Sequence, residues 1–399
     1  MPNNWNALFS VRMDIAKIQE ALRREQLDGW LFFDHHQRDL LAYRVLGVDP
    51  KKHVTRRWYY MIPAEGEPLG VVHNIEAATL DVLPGEKLRY SRWQEQHAHI
   101  ARLLRGMKRV AMQYSPRCAV PYVSMVDAGT VELVRECGVE VVSSAELIQI
   151  FEATLTEEQF ATHLEAGRRI DRIREGAFRL IAEKLSSGID EVTVRDWILE
   201  QFRKGGMVTD NSPIVGVNAH AGDPHYEPRI ETNFPIRPGD VVLLDMWAKL
   251  DQPGAVYYDI TWTGFCGAPT DRVRNVYETV RGARDAAIEK VEQSIAAGHD
   301  LRGFEVDDAA RAYMQSKGFA DYFVHRTGHS IGEEVHGTGA NMDNLETHDD
   351  RRILPGSLFS IEPGIYLPEF GIRSEVNMFV RAGSAMVTGE IQRDLVRIE

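Results

Sequence analysis

The chain has 399 residues, 44% hydrophobic and 26% charged, with a formal net charge of −13. That length exceeds one ordinary core and calls for two domains, and the acidic balance excludes partners that need a basic face, whether nucleic acid or an anionic membrane. Three cysteines, Cys118, Cys137 and Cys266, lack CxxC spacing, which excludes a disulfide framework and a thiolate zinc site and suits a reducing compartment.

The opening MPNNWNALFSVRMD has no apolar run of leader length, and no stretch approaches the about 20 apolar residues of a membrane helix. A cytoplasmic location is expected. MDIAKIQEALRREQL spaces Ile15, Ile18 and Leu22 as a helix face, and GWLFF follows as a buried strand. RRWYYMIPAEGEPLGVVH reads as strand, turn, strand; KRVAMQY and VEVVSS add strands around a helical VSMVDAGTVELVREC. Residues 1–155 are therefore expected to form an α/β domain.

The second domain is expected over 156–399. Thr156 and Gln159 form a capping box for a long helix, and VTVRDWILEQFRKGG is a second helix stopped by glycine. Strands follow through residue 265. Two more helices then come, DRVRNVYETVRGARDAAIEKVEQSIAAG and VDDAARAYMQSKG, and strands again in YFVHRTGHSIG, SLFSIEPGIY and GIRSEVNMFV. Helix, helix, strands thus occurs twice, an α+β layout with a pseudo-two-fold repeat of architecture.

Acidic residues sit at matching places in the two halves. Asp245 and Asp259 lie fourteen apart on neighbouring strands of the first half, Glu362 and Glu375 thirteen apart in the second. A single carboxylate in a strand belongs on a solvated face; four inside apolar strands need another explanation. Unit charges ~4 Å apart repel by ~4 kcal/mol at an effective dielectric of ~20, so a buried cluster needs protons or cations. HRTGHSIGEEVHG adds His325, His329 and His336 with glycines around the middle one. One nitrogen and four carboxylates can hold two divalent cations, with Mn²⁺, Fe²⁺ or Co²⁺ favoured over Zn²⁺. Two such ions lower the pKa of a shared water from 15.7 towards ~7, which implies hydrolysis of an amide or ester.

These residues carry a resemblance to the pita-bread metallopeptidase family, which includes aminopeptidase P, prolidase, methionine aminopeptidase and metal-free creatinase. It rests on PHYEP (224–228), GDVVLLD (239–245), YYDITWT (257–263), GHSIGEEVH (328–336), IEPGIY (361–366) and GIRSEV (371–376), in order. Residues 1–155 resemble, by layout, the amino-terminal domain of the prolidase, aminopeptidase P and creatinase branch. The resemblance implies a pita-bread catalytic domain and a homodimer. It implies metal ligation by Asp245, Asp259, His329, Glu362 and Glu375, with Asp259 and Glu375 bridging. Glu362 would also be the general base, His225 and His336 would contact substrate, and Arg373 would orient the acidic ligands. Tyr366 reads as a packing residue and His325 as structural or at the pocket rim.

The chain departs from the family pattern at Trp247, where glycine is common, and at Trp262, where arginine is common. The expected function is a metallo-exopeptidase cutting between an N-terminal residue and proline, prolidase-like rather than aminopeptidase P-like. Arg56, Arg57, His35 and His36 are candidates for capturing a dipeptide's carboxylate, reaching from a partner subunit. The alternative is the same fold acting on a non-peptide, as a creatinase-like C–N hydrolase or a metal-dependent lyase. Alternation within AVYYDITWTGF places Asp259 and Thr261 on one face and Trp262 on the other.

Overall fold

The computed structural model describes residues 13–399, so almost all of the segment read for a leader lies outside the described residues. The chain divides into two compact units between Glu152 and Ala153.

The first unit is built on six strands: β1 (Gly29–Asp34), β2 (Trp58–Pro63), β3 (Leu69–His73), β4 (Glu86–Tyr90), β5 (Arg109–Met112) and β6 (Glu140–Ser143), in the order β4-β3-β2-β1-β5-β6. β2 runs antiparallel to both its neighbours, and the other pairings are parallel. Every residue of β1 is buried because the sheet is covered on both faces. Trp30 and Phe32 pack with α1 (Ile15–Arg24) and α2 (Leu40–Leu46). Leu31 and Phe33 point the other way, to α3 (Trp93–Leu103) and α4 (Ala128–Glu136). The result is three layers, helix–sheet–helix.

The second unit opens with the long helix α5 (Glu157–Lys184), whose capping box of Thr156 and Gln159 is formed, and α6 (Glu191–Lys204) follows. The strands β7 (Ile214–Val217), β8 (Val241–Leu250) and β9 (Tyr258–Cys266) come next. β8 pairs antiparallel with β7 on one edge and β9 on the other. Helices α7 (Asp271–Ala296) and α8 (Gly303–Ser316) begin the next passage. It ends in β10 (Leu358–Ile361), β11 (Gly364–Tyr366), β12 (Gly371–Arg373), β13 (Val376–Arg381), β14 (Ser384–Thr388) and β15 (Val396–Ile398), the last parallel to β9.

Side-chain alternation decides where the acidic residues face. Leu244, Met246, Tyr258 and Ile260 bury against Ile170, Ala177 and Phe178 of α5. Asp245 and Asp259, one residue out of phase, therefore face away from those helices. In the other passage Phe359, Ile361, Val376 and Met378 join the core formed with α7 and α8. Ser360, Glu362, Glu375 and Asn377 take the alternate phase, and the carboxylates of both passages share an inner side.

One expected strand is absent. A short 3₁₀ turn, Ala320–Tyr322, leads into YFVHRTGHSIG, which then follows an irregular path with single bridges from Gly328 to Met342 and from Ser330 to Phe359. A Cβ on Gly328 would lie 1.9 Å from the Ser360 carbonyl oxygen. The backbone is pressed against β10 there and cannot follow a pleat, which leaves His329 free to turn inward.

Candidate metal centre

Register brings the first pair of carboxylates together. Asp245 stands opposite Thr261, and Trp247 opposite Asp259, across the β8–β9 ladder. The second pair sits where the β10–β13 ladder ends at Ile361↔Val376, with Glu362 and Glu375 just beyond it. Asp259, His329 and Glu375 each place a donor atom within 4.8 Å of the others. The His329 Nε2 atom lies 3.4 Å from both Asp259 Oδ2 and Glu362 Oε1. Asp245 joins the cluster while held by the Arg373 guanidinium. Arg373 also donates to the Thr261 hydroxyl (3.0 Å), and Thr261 donates to Glu375 Oε2 (2.8 Å).

The protonation pattern is that of a site built for cations. Burial pushes Asp245 up to about 7 against the pull of Arg373, and burial together with Glu362 pushes Asp259 well above its ordinary range. Glu375 is raised the same way, by burial and then by Asp259 and Glu362. Burial also opposes ionisation of Glu362, but His329, His325 and Arg373 hold it below its usual value. His329 is driven down by burial, so its imidazole is neutral. Its Nδ1–H donates to the Ser330 carbonyl at 3.1 Å, which leaves the Nε2 lone pair aimed at carboxylates. Asp259 Oδ1 and Glu375 Oε1 are buried without a hydrogen-bond partner. A lone pair facing anions and two orphaned carboxylate oxygens are unfavourable together unless a cation lies between them. The donor set, four carboxylates and one imidazole, fits divalent ions.

The other candidates are placed unevenly. His336 is an exposed residue whose ring meets that of His329 edge-on, centroids 4.4 Å apart, and desolvation and then His329 lower it to about 4. His225 is exposed, and its backbone N–H rather than its ring is engaged, by Asp223 at 3.0 Å. Tyr366 is more than packing: its hydroxyl accepts from Arg373 Nη1 (3.1 Å) and meets His325 Nε2 at 2.6 Å. His35, His36, Arg56 and Arg57 border a cavity of about 740 Å³ in the first unit. Trp262 lies on the helix side of its strand, with the Arg174 guanidinium 3.6 Å above its ring.

The sequence reading missed three supporting residues; two of them, Ser360 and Asn377, lie two positions from a candidate ligand, although nothing local marks what they touch. Ser360, two before Glu362, accepts the His329 backbone N–H at 2.9 Å and donates to Glu362 at 3.2 Å. Asn377, two after Glu375, accepts the Asp259 N–H at 3.2 Å and donates to its carbonyl. Gln392 does the same for Thr263, at 3.1 and 2.6 Å. Two side-chain amides thus take the place of strand pairing along β9. Asn377→Ala should cost on the order of 2–4 kcal/mol, because both Asp259 backbone groups lose their partner. Urea unfolding of the metal-free protein checks this; an unchanged midpoint would show that the clamp carries no stability.

A family model described as metallopeptidase family M24 matches residues 165–382, more than half of the chain. The chain belongs to metallopeptidase family M24. Its sequence is 34% identical over 223 residues to an Xaa-Pro dipeptidase of Lactobacillus delbrueckii subsp. lactis, 55% of each chain. Against that relative and the Xaa-Pro dipeptidase of Lactobacillus helveticus, the match spans about half the relative's length, 55% and 50%. The solved dipeptidase PepE from Mycobacterium ulcerans superposes with a TM-score of 0.70 at 25% identity, covering 98% of both chains. The M24 two-domain fold is that of this chain.

Proposed function

We propose that the protein is a dinuclear metal-dependent exopeptidase that hydrolyses the bond between an N-terminal residue and proline, with Xaa-Pro dipeptides preferred over longer peptides. The observation that carries the metal-dependent part is the buried group of Asp259, His329 and Glu375 with its two orphaned carboxylate oxygens. The choice of substrate rests on the names of the lactobacillar relatives.

Asp245, Asp259, His329, Glu362 and Glu375 would hold two divalent ions, Mn²⁺ favoured by the oxygen-rich donors. When bound, the ions supply an activated water and a Lewis acid for the scissile carbonyl. Glu362, held below its usual range with the Arg373 guanidinium 4.0 Å away, takes up the proton as general base. Neutral His336 donates a hydrogen bond towards oxyanion charge, with His225 the second candidate donor. Arg373 and Thr261 orient Asp245 and Glu375. Arg56, Arg57, His35 and His36 are the candidates for the dipeptide's carboxylate. The reading includes a homodimer in the cytoplasm.

The test is hydrolysis of Ala-Pro, Met-Pro, Ala-Pro-Ala and creatine by protein reconstituted with Mn²⁺, Co²⁺ or Zn²⁺. Cleavage of the dipeptides ahead of the tripeptide is expected. Failure on every proline peptide with every ion overturns the peptidase reading, and turnover of creatine alone would replace it.

A further inference from the structure

Trp247 has no role in the chemistry above, yet it shares the inner face of β8 with Asp245 and stands opposite Asp259. Its position is fixed twice. The indole N–H donates to Asp210 Oδ1 at 2.7 Å. The ring packs against the cluster that contains Tyr257, Ile331 and Val335, and the residue stays only half-buried. A large planar group with its polar atom tied and its body packed is a wall, with little freedom to swing aside.

Asp210 is the second element. It is exposed, and its bond to the indole places it beside the strand position that faces Asp259. It is therefore an anion at the edge of the metal centre, separate from the carboxylates that cations would neutralise. An exopeptidase substrate brings a free ammonium group, which needs an anion, and an aromatic face beside it adds a cation–π contact. Asp210 and Trp247 offer both on one side of the centre.

We infer that Trp247, fixed by Asp210, walls the subsite for the substrate's N-terminal residue, so that small side chains are accepted there and large ones are turned away. This rests on the peptidase reading, which leaves the preferred N-terminal residue open. The amino end is drawn to Asp210. The side chain on the same carbon then meets the indole, and size decides what fits. A methylene too many in a closed apolar subsite changes specificity by about 10–200-fold.

The experiment compares wild type, Trp247→Ala, Trp247→Phe and Asp210→Asn as metal-loaded full chains. Values of kcat/KM are measured for Ala-Pro, Met-Pro and Phe-Pro, and calorimetry gives the binding of free alanine and free phenylalanine. Wild type should favour alanine in both assays. Trp247→Ala should raise the Phe-to-Ala ratio by at least ~10-fold, mainly through KM, with the ion content of wild type. Trp247→Phe should lie between them. Asp210→Asn should weaken all ligands by similar factors. A ratio unchanged within about twofold in Trp247→Ala overturns the inference, as does loss of bound ions in that variant, which would make Trp247 a support of the metal centre. If wild type cleaves no dipeptide, the peptidase reading fails and calorimetry decides the wall by itself. Equal binding of alanine and phenylalanine in wild type and variant would then overturn it.

Discussion

Asp259→Asn should strip the protein of tightly bound ions and lower Ala-Pro hydrolysis by at least ~10³-fold, about 4 kcal/mol of lost transition-state stabilisation. The change keeps the size of the side chain and removes its charge. Asp259 lies at the meeting point of the two passages: 3.4 Å from His329, clamped by Asn377, and in mutual repulsion with Glu362 and Glu375. An amide there can coordinate only weakly, and its N–H₂ group cannot bridge two cations. The same substitution should stabilise the metal-free protein, because it removes one of several crowded like charges. Opposite signs for activity and for apo stability separate a metal ligand from a structural carboxylate. Elemental analysis and thermal unfolding in chelator read the two effects. Normal ion content in the variant would remove Asp259 from the ligand set.

How much of this could be read from the chain depends on the kind of signal. The helices of the second unit were legible because they carry both a strong period and explicit punctuation, Thr156 with Gln159 at one end and Gly205 at another. Asp245 and Asp259 were legible because a carboxylate inside a run such as VVLLDMW contradicts its surroundings. The segment around His329 misled, since its apolar residues suggest a strand while its path is set by contact with Ser360, a residue thirty-one positions away. Tyr366 misled for the same reason: a tyrosine in IEPGIY looks like core until Arg373 and His325 are seen at its hydroxyl. Asn377 and Gln392 act on backbone groups of another strand, and nothing local marks such a contact. His225 keeps its assigned role only by resemblance, because its ring is exposed.

Chelating the ions should destabilise the second unit, and the loss should shrink as the pH is lowered from 8 to 6. Without ions the cluster holds buried carboxylates whose folded-state pKa values are raised: Asp245 to about 7, Asp259 and Glu375 well above their ordinary range. In the unfolded chain the same groups titrate near ~4. Between pH 6 and 8 the unfolded state binds essentially none of these protons and the folded state binds some. Stability therefore falls as the pH rises through the folded pKa values, by on the order of 1.4 kcal/mol per pH unit for each group in its titration range. Loaded with ions, the carboxylates are ionised in both states and this slope vanishes, while proton release on binding makes ion affinity grow with pH. Thermal unfolding at pH 6, 7 and 8, with Mn²⁺ and with chelator, should give curves that diverge towards alkaline pH. Parallel curves would mean that the carboxylates are already ionised in the folded state across that range, as solvated groups are. The inner face would then not be the buried, cation-seeking cluster that its geometry describes.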